Sequence, residues 1–296
     1  MSPRKSIFGR TKGRGAAAVS RVHMQGARDT HTFRIAGVQM ASGPSVPSNL
    51  KEARRLISMA ADQGAAMVAL PEYFAIMGLK DTDKVQVREK PGSGQIQEFL
   101  AEMSSALKIW LFGCSVPLES GTDGKVHNSL LVYNPQGVLA ARYDKIHLFS
   151  LDLGKEKFSE ERTIQAGAQV TVVDTPLGRV GLSVCYDLRF PELYRAMGEV
   201  DIIIVPSAFT ETTGRAHWNA LIRARAIENL AYVLAPAQGG YHLSGRETHG
   251  HSMIVDPWGV ILDELPRGSG VVVAGVNPAY QASLRKSLPA LSHRVV

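Results

Sequence analysis

Cysteine is scarce: Cys114 and Cys185 are the only two among 296 residues, too few for a disulfide framework or a four-thiolate zinc site. A reducing compartment follows, and the cytoplasm is the expected location. Long apolar runs are missing too. No stretch reaches the ~18 uninterrupted apolar residues of a membrane span, and no apolar core ahead of a small-residue cleavage site marks a secretory signal. Neither a repeat of about 20 to 50 residues nor a low-complexity linker interrupts residues 30 to 280. Gly92-Ser93-Gly94 and Gly268-Ser269-Gly270 lack the strand-then-helix setting of a dinucleotide loop, and neither is followed by Gly-Lys-Ser, so no nucleotide cofactor is expected. With 45% hydrophobic and 20% charged residues, the composition is that of an ordinary globular protein.

Acidic residues are absent from one region. Residues 1 to 28 carry seven Lys or Arg and no Asp or Glu, leaving 26 basic against 27 acidic side chains in the rest. The formal charge of +6 is thus a property of the N-terminus, and a nearly neutral body offers no basic face for nucleic acid. Residues 1–30 are expected as a disordered basic tail. Arg-rich and acid-free, the tail also has the character of a mitochondrial presequence if the source is eukaryotic; alternatively, Met24 is the true start. Residues 31–296 are expected as one domain.

From Phe33 onward, short apolar runs alternate with helical periods. Phe33–Met40 reads as a strand, and Leu50, Ala53, Ile57, Ala60 and Ala61 form the apolar face of a helix starting near Pro47-Ser48. Ala66–Leu70 is a short buried strand stopped by Pro71. Ile96, Phe99, Leu100, Met103 and Leu107 mark a second helix, before the strand Ile109–Val116. Asn134-Pro135-Gln136-Gly137 turns a hairpin between Ser129–Tyr133 and Val138–Lys145. After a charged loop at Asp152–Arg162 come strands at Val170–Val173, Arg179–Val184, Asp201–Val205 and Tyr232–Ala235, with helices near Pro191–Met197 and Ala216–Leu230. A hairpin turning at Asp256-Pro257-Trp258-Gly259 and a strand at Val271–Val276 follow. Hairpins inside a strand-helix alternation favour a layered α/β sandwich over a doubly wound sheet or a barrel.

Open α/β sheets place reactive groups just past the carboxyl ends of strands. Three side chains sit there: Glu72 after AMVAL-Pro, Lys145 at the end of the hairpin strand in ARYDKIHLF, and Cys185 after RVGLSV at the start of CYDLRFPELYR. A thiol where a strand turns into a helix meets unpaired backbone N–H groups, which stabilise a thiolate and can donate to an oxyanion. Singly, each residue has an ordinary explanation: a helix-capping carboxylate, a solvated strand end, or an inert core thiol such as Cys114 in WLFGCSVP. Together they supply what hydrolysis by sulfur needs. The carboxylate removes the thiol proton, the sulfur attacks a carbonyl or nitrile carbon, and the ammonium holds the developing negative charge.

The segments ALPEYF, RYDKIHLF and GLSVCYDLRFPELYR, in this order, resemble the Glu, Lys and Cys motifs of the nitrilase superfamily of carbon-nitrogen hydrolases, over residues 33–290. That resemblance implies a four-layer αββα sandwich that forms a homodimer or higher oligomer. It implies Cys185 as nucleophile, Glu72 as general base and acid, and Lys145 with the backbone N–H of Tyr186 on the oxyanion. A fourth catalytic residue, a glutamate after the Lys motif, matches Glu160 in KFSEE, with Glu161 adjacent. TTGRAHW, RARAIENLAYV, GHSMIVDPWG and LRKSLPALSHR look like the amidase branch acting on deaminated glutathione, and several of these segments are shared with ω-amidases.

The expected activity is therefore a cofactor-free amidase that releases ammonia from a small carboxylated amide through a thioester on Cys185. Deaminated glutathione comes first among substrates and α-ketoglutaramate second, with nitriles as a further alternative and a non-catalytic dimeric scaffold as the non-enzyme one. A carboxylated substrate calls for cations, and a guanidinium can pair a carboxylate with two parallel hydrogen bonds. Arg189, Arg215 and Arg246 are the candidates, joined by His217 of TTGRAHW. Arg189 has a structural alternative in Asp187 or Glu192, as Arg215 and Arg246 have in plain solvation. The stretch Gln238–His251 is expected as the loop that selects substrate.

Histidines allow two rival constructions. His147, two residues from Lys145 on the same strand face, opens a Cys185/His147 pair. His242, His249 and His251 have metal-like spacing, but without a thiolate or paired carboxylates nearby no metal is expected.

Overall fold

The strand Trp110–Glu119 is buried on both faces, and its alternation shows how the layers stack. Trp110, Phe112 and Cys114 enter one apolar cluster, while Leu111 and Val116 enter another. The second cluster lies under the helices Val46–Asp62 and Gln95–Leu107, which contribute Leu56, Ile57, Ile96 and Leu100. The first cluster joins this sheet to a second one through Val172, Leu182, Ile203 and Leu234, and continues to Trp218 and Ile222 of the helix Glu211–Asn229. The result is a four-layer αββα sandwich. It is seen in a computed structural model that describes residues 19–22, 31–154 and 157–295.

One sheet has six strands in the order Gly270–Val276, Phe33–Gln39, Ala65–Ala69, Trp110–Glu119, Val126–Tyr133 and Leu139–Asp144. Its Phe33–Gln39, Ala65–Ala69 and Trp110–Glu119 strands are parallel, and the outer pairings are antiparallel. The other sheet has seven, in the order Val19–Val22, Val170–Thr175, Gly178–Leu182, Ile202–Ile204, Tyr232–Ala235, Ser252–Val255 and Ile261–Leu265. There Gly178–Leu182, Ile202–Ile204 and Tyr232–Ala235 run parallel. The carboxyl ends of both parallel sets meet: Met40 and Ser207 form bridges with Gln238 and Ala237. That junction is where a site belongs in such a sheet.

Four differences from the sequence reading have physical reasons. Val19–Val22 pairs in parallel with Val170–Val173, so these four residues of the expected tail form an edge strand; residues 1–18 and 23–30 lie outside the described residues. The charged stretch at 152–162 contains a small hairpin, Ser150–Asp152 with Lys157–Ser159, and a tight turn, Glu160–Arg162. Gln238–His251 also folds as a hairpin, Gly239–Tyr241 with Glu247–His249, too short to show an alternation. Helix Glu211–Asn229 starts earlier than its apolar period, because Thr210 caps it by accepting from the Thr213 N–H (3.3 Å).

Candidate active site

The strand Ala65–Ala69 runs into Leu70-Pro71, and proline, lacking an N–H, ends the ladder. Glu72 follows, buried, and Tyr73 takes a left-handed backbone (φ 61°) that turns the chain off the sheet. The Glu72 carbonyl accepts from Gln238 Nε2 (3.0 Å), and the Tyr73 N–H donates to Ser115 Oγ (3.0 Å). Both contacts pin the carboxylate's backbone to neighbouring strand ends. Glu72 Oε1 accepts from Lys145 Nζ and from Asn128 Nδ2, each at 2.9 Å. Its Oε2 is buried with no hydrogen-bond partner among the described residues.

Lys145 follows the strand Leu139–Asp144, its N–H on the Asn128 carbonyl (3.0 Å) and its own carbonyl taking the Gly167 N–H (2.9 Å). Fully buried, its Nζ donates to Glu72 Oε1 (2.9 Å) and to Glu160 Oε1 and Oε2 (2.9 and 2.8 Å). Burial works to strip this proton, but the Glu160 and Glu72 carboxylates outweigh it and hold the ammonium well above the usual lysine value. Glu160 opens the turn Glu160–Arg162. Its Oε1 also accepts from the Tyr73 hydroxyl (2.8 Å) and its Oε2 from the Phe149 N–H (2.7 Å). Burial pushes this carboxyl up, yet Lys145 and the other donors keep it below its ordinary value. Glu160 is thus saturated, whereas Glu72 keeps one oxygen free. Glu161 is exposed, so Glu160 is the glutamate brought into the cluster.

The strand Gly178–Leu182 passes through Ser183-Val184 into the tight turn Cys185–Arg189. Cys185 has a left-handed backbone (φ 50°), and its N–H donates to the Pro206 carbonyl (2.9 Å). Asp187 locks the turn from inside. One of its oxygens accepts from the Val184 N–H (2.8 Å) and the Tyr143 hydroxyl (2.6 Å), and the other from the His147 N–H (3.0 Å), with His147 Nδ1 at 2.7 Å. Burial pushes the Cys185 thiol well above its usual value and the Glu72 charge adds to this, with Lys145 and the Ala208 backbone opposing. The thiol thus holds its proton more tightly than free cysteine does. Cys185, Glu72, Glu160, Tyr186, Arg189 and Arg246 all line one narrow cavity.

Arg189 lies over the rings of Tyr186 (5.8 Å) and Phe209 (5.4 Å), with His217 Nδ1 at 3.3 Å from its guanidinium nitrogens. Asp187 is occupied elsewhere, so the structural alternative for Arg189 does not hold there. His217 is exposed and touches Arg189 rather than lining the cavity. Arg215, exposed on the helix Glu211–Asn229, pairs with Glu211 one turn back (2.7 Å) and does not reach the site. Its expected substrate-binding place is thereby corrected.

His147 is not a partner of the thiol either: it is bonded to Asp187 and stacked on Phe190 with ring centres 3.7 Å apart. His242 sits between the Ser42 carbonyl and Thr248 Oγ1 (both 2.8 Å), whereas His249 and His251 stack with ring centres 4.3 Å apart, each on its own carboxylate, Glu211 (3.0 Å) and Glu264 (2.6 Å). Sequence reasoning missed Asn128 and Tyr73, which complete the cluster. Asn128 left little trace, since it stands between His127 and Ser129 in the polar first half of its strand.

Comparison with known proteins gives the family. The family profile of the carbon-nitrogen hydrolases matches residues 34–286. A deaminated glutathione amidase of Synechocystis is 41% identical over 269 residues, 89% of this chain and 98% of that protein. Omega-amidase NIT2-B of Xenopus laevis is 36% identical over 261 residues, 87% of this chain and 93% of its own. Among solved structures, Nit3 of Saccharomyces cerevisiae, a member of the nitrilase superfamily, superposes with a TM-score of 0.80 at 30% identity, covering 89% of this chain and 97% of that one. With a thiol, an ammonium and two carboxylates at the junction of its parallel strands, this chain belongs to the carbon-nitrogen hydrolase family.

Proposed function

We propose that the protein is a thiol amidase whose favoured substrate is deaminated glutathione. The observation that carries this reading is the unequal bonding of Glu72: Oε1 held by Lys145 and Asn128, Oε2 buried and free. Glu72 Oε2 takes the thiol proton as Cys185 Sγ bonds to the acyl carbon. The oxygen that becomes negative is held by an N–H of Lys145 and the backbone N–H of Tyr186. Collapse breaks the C–N bond, Glu72 returns its proton to the departing amine, and a thioester remains on Cys185. Glu72 then deprotonates water, which releases the acid and the thiol. Glu160, saturated by Lys145, Tyr73 and Phe149, positions Lys145 in this scheme.

One element of the sequence reading needs correction on chemical grounds. Deaminated glutathione has no primary amide; its scissile nitrogen belongs to cysteinylglycine, so the departing amine is that dipeptide and the acid is α-ketoglutarate. Ammonia leaves from α-ketoglutaramate, the ω-amidase substrate, which delivers the same acyl group. The similarity to both named relatives supports keeping the two together. Arg189, paired with no carboxylate in its cavity, suits the acyl carboxylate.

The test is α-ketoglutarate formation from each compound, with wild type and Cys185→Ala. Turnover of the first compound that vanishes in the variant supports the proposal, and no turnover of either refutes it. For assembly we propose a homodimer that covers the exposed Ile227, Trp258, Val260 and Tyr280. Sedimentation should give at least twice the chain's 32.0 kDa, and a monomer would overturn the assignment.

A further inference from the structure

Beside the narrow cavity at Cys185 lies a wider one of about 260 Å³, and Phe149, Glu160 and Arg246 line both. Its wall carries Tyr73 and Lys84 from the segment after Glu72, with Lys80 exposed at its edge. Neither Lys84 nor Arg246 has an ion-pair partner among the described residues. Lys84 Nζ donates to Thr163 Oγ1 (3.1 Å) and sits 5.8 Å from the centre of the Tyr73 ring. Burial lowers its pKa, with the charges of Asp81 and Glu160 only partly opposing. Arg246 is clamped between the rings of Tyr73 (5.8 Å) and Phe158 (5.2 Å), and one of its nitrogens donates to the Ala208 carbonyl (2.7 Å). Its Nε is buried with no acceptor among the described residues. Both cations are half-buried on a wall whose carboxylates are Asp81 and Glu160, the latter already held by Lys145, so an arriving anion would find positive charge to pair with.

The chain order says which half of a substrate would bring that anion. Glu72, the group that hands a proton to the leaving amine, directly precedes Tyr73 of the wide cavity, while Arg189 lines the narrow one and not the wide one. A two-residue amine reaches about 7 Å from its nitrogen to its carboxylate, which needs the larger space. We infer that the wide cavity is a leaving-group subsite that selects amides whose amine half ends in a carboxylate, with Lys84 and Arg246 as the residues that bind it. This rests on the amidase reading above. Two anionic ends of one substrate are then read by different cations, the acyl end by Arg189 and the amine end by Lys84 and Arg246.

The experiment compares kcat/KM for deaminated glutathione with that for its C-terminal carboxamide, which keeps the scissile bond and removes the charge. Each protein serves as its own reference, so the ratio is independent of how much of a variant folds. Wild type is expected to prefer the carboxylate by about tenfold to a hundredfold, the worth of hydrogen bonds to a charged group. In Lys84→Met and Arg246→Met the ratio should fall towards one, and Lys84→Arg should restore much of it. Equal rates on the two compounds in wild type, or a preference that survives both Met variants, would overturn the subsite while leaving the amidase intact. Hydrolysis of neither compound by wild type would overturn the amidase reading and the subsite with it.

Discussion

Cys114 and Cys185 belong to the same apolar cluster and share nearly the same electrostatic surroundings. For both, burial is the first cause that pushes the thiol up, the charge of Glu72 the second, and Lys145 opposes. What separates them is backbone. Cys114 lies within an extended strand between the sheets, with its surface wholly covered (0%), whereas Cys185 stands on a left-handed turn at a strand's end and faces a cavity, 7% exposed. A lowered pKa therefore does not distinguish the proposed nucleophile from the other thiol. Access, and a carboxylate oxygen in the same cluster with no partner among the described residues, do.

Cys185→Ala should break the comparison most completely. Loss of the sulfur removes the covalent route, and turnover of α-ketoglutaryl amides is expected to drop by about ten thousandfold or more, measured against an unchanged thermal transition. A variant that kept a hundredth of the activity would move the nucleophile elsewhere.

Glu72→Gln tests the free oxygen. The amide can still accept from Lys145 and Asn128, but it takes no proton, and turnover should fall by about a hundredfold to ten thousandfold. Labelling by iodoacetamide should go the other way. The Glu72 charge raises the Cys185 pKa, so removing it lowers that pKa and increases the thiolate fraction at pH 8. In wild type, Cys185 is expected to react more slowly than free cysteine at that pH and to accelerate as pH rises. Cys114 should stay unlabelled until the protein unfolds. Equal labelling of the two thiols in the native protein would dissolve the distinction drawn between them.

Lys145→Met addresses what the surroundings cost. It leaves Glu72 and Glu160 facing each other in the interior with no cation, and breaking such a buried cluster costs about 3–5 kcal/mol. Activity should vanish together with much of the stability. Glu160 carries the opposite linkage to a raised base: its folded pKa is depressed, so its contribution is present above the ordinary carboxylate range and lost as pH falls through the lowered value. Acid unfolding monitored with Glu160→Gln should therefore show a smaller loss of stability at low pH than wild type.

The cluster was legible in the sequence wherever a titratable residue sat at a strand's end. Glu72, Lys145 and Cys185 each follow a short apolar run, and the run's end predicts where the side chain goes. Asn128 and Tyr73 escaped because nothing local marks them: one is a single amide in a strand, the other an aromatic in an apolar stretch, and both act only once the sheets are assembled. Arg215 misled for the opposite reason. It lies in a motif that resembles the family, yet its position one turn from Glu211 gives it a local partner outside the site. The hairpin Gly239–Tyr241 with Glu247–His249 was invisible to periodicity because its strands are too short for a pattern.

The smallest expected effect concerns Cys114. Replacing it with Ala deletes one buried sulfur from a fully covered strand position, and the cost is set by the lost contacts and the small cavity, about 1–2 kcal/mol. In a chain of this length that corresponds to a melting temperature lowered by roughly 2–8 °C. Because Cys114 does not itself line the cavity at Cys185, kcat/KM should stay within about twofold of wild type. Calorimetry and turnover on the same preparation decide the matter. A tenfold loss of activity at unchanged stability would mean that the strand Trp110–Glu119 transmits its packing to Glu72 through the Tyr73 N–H bond to Ser115, and that the two thiols are not as independent as their backbones suggest.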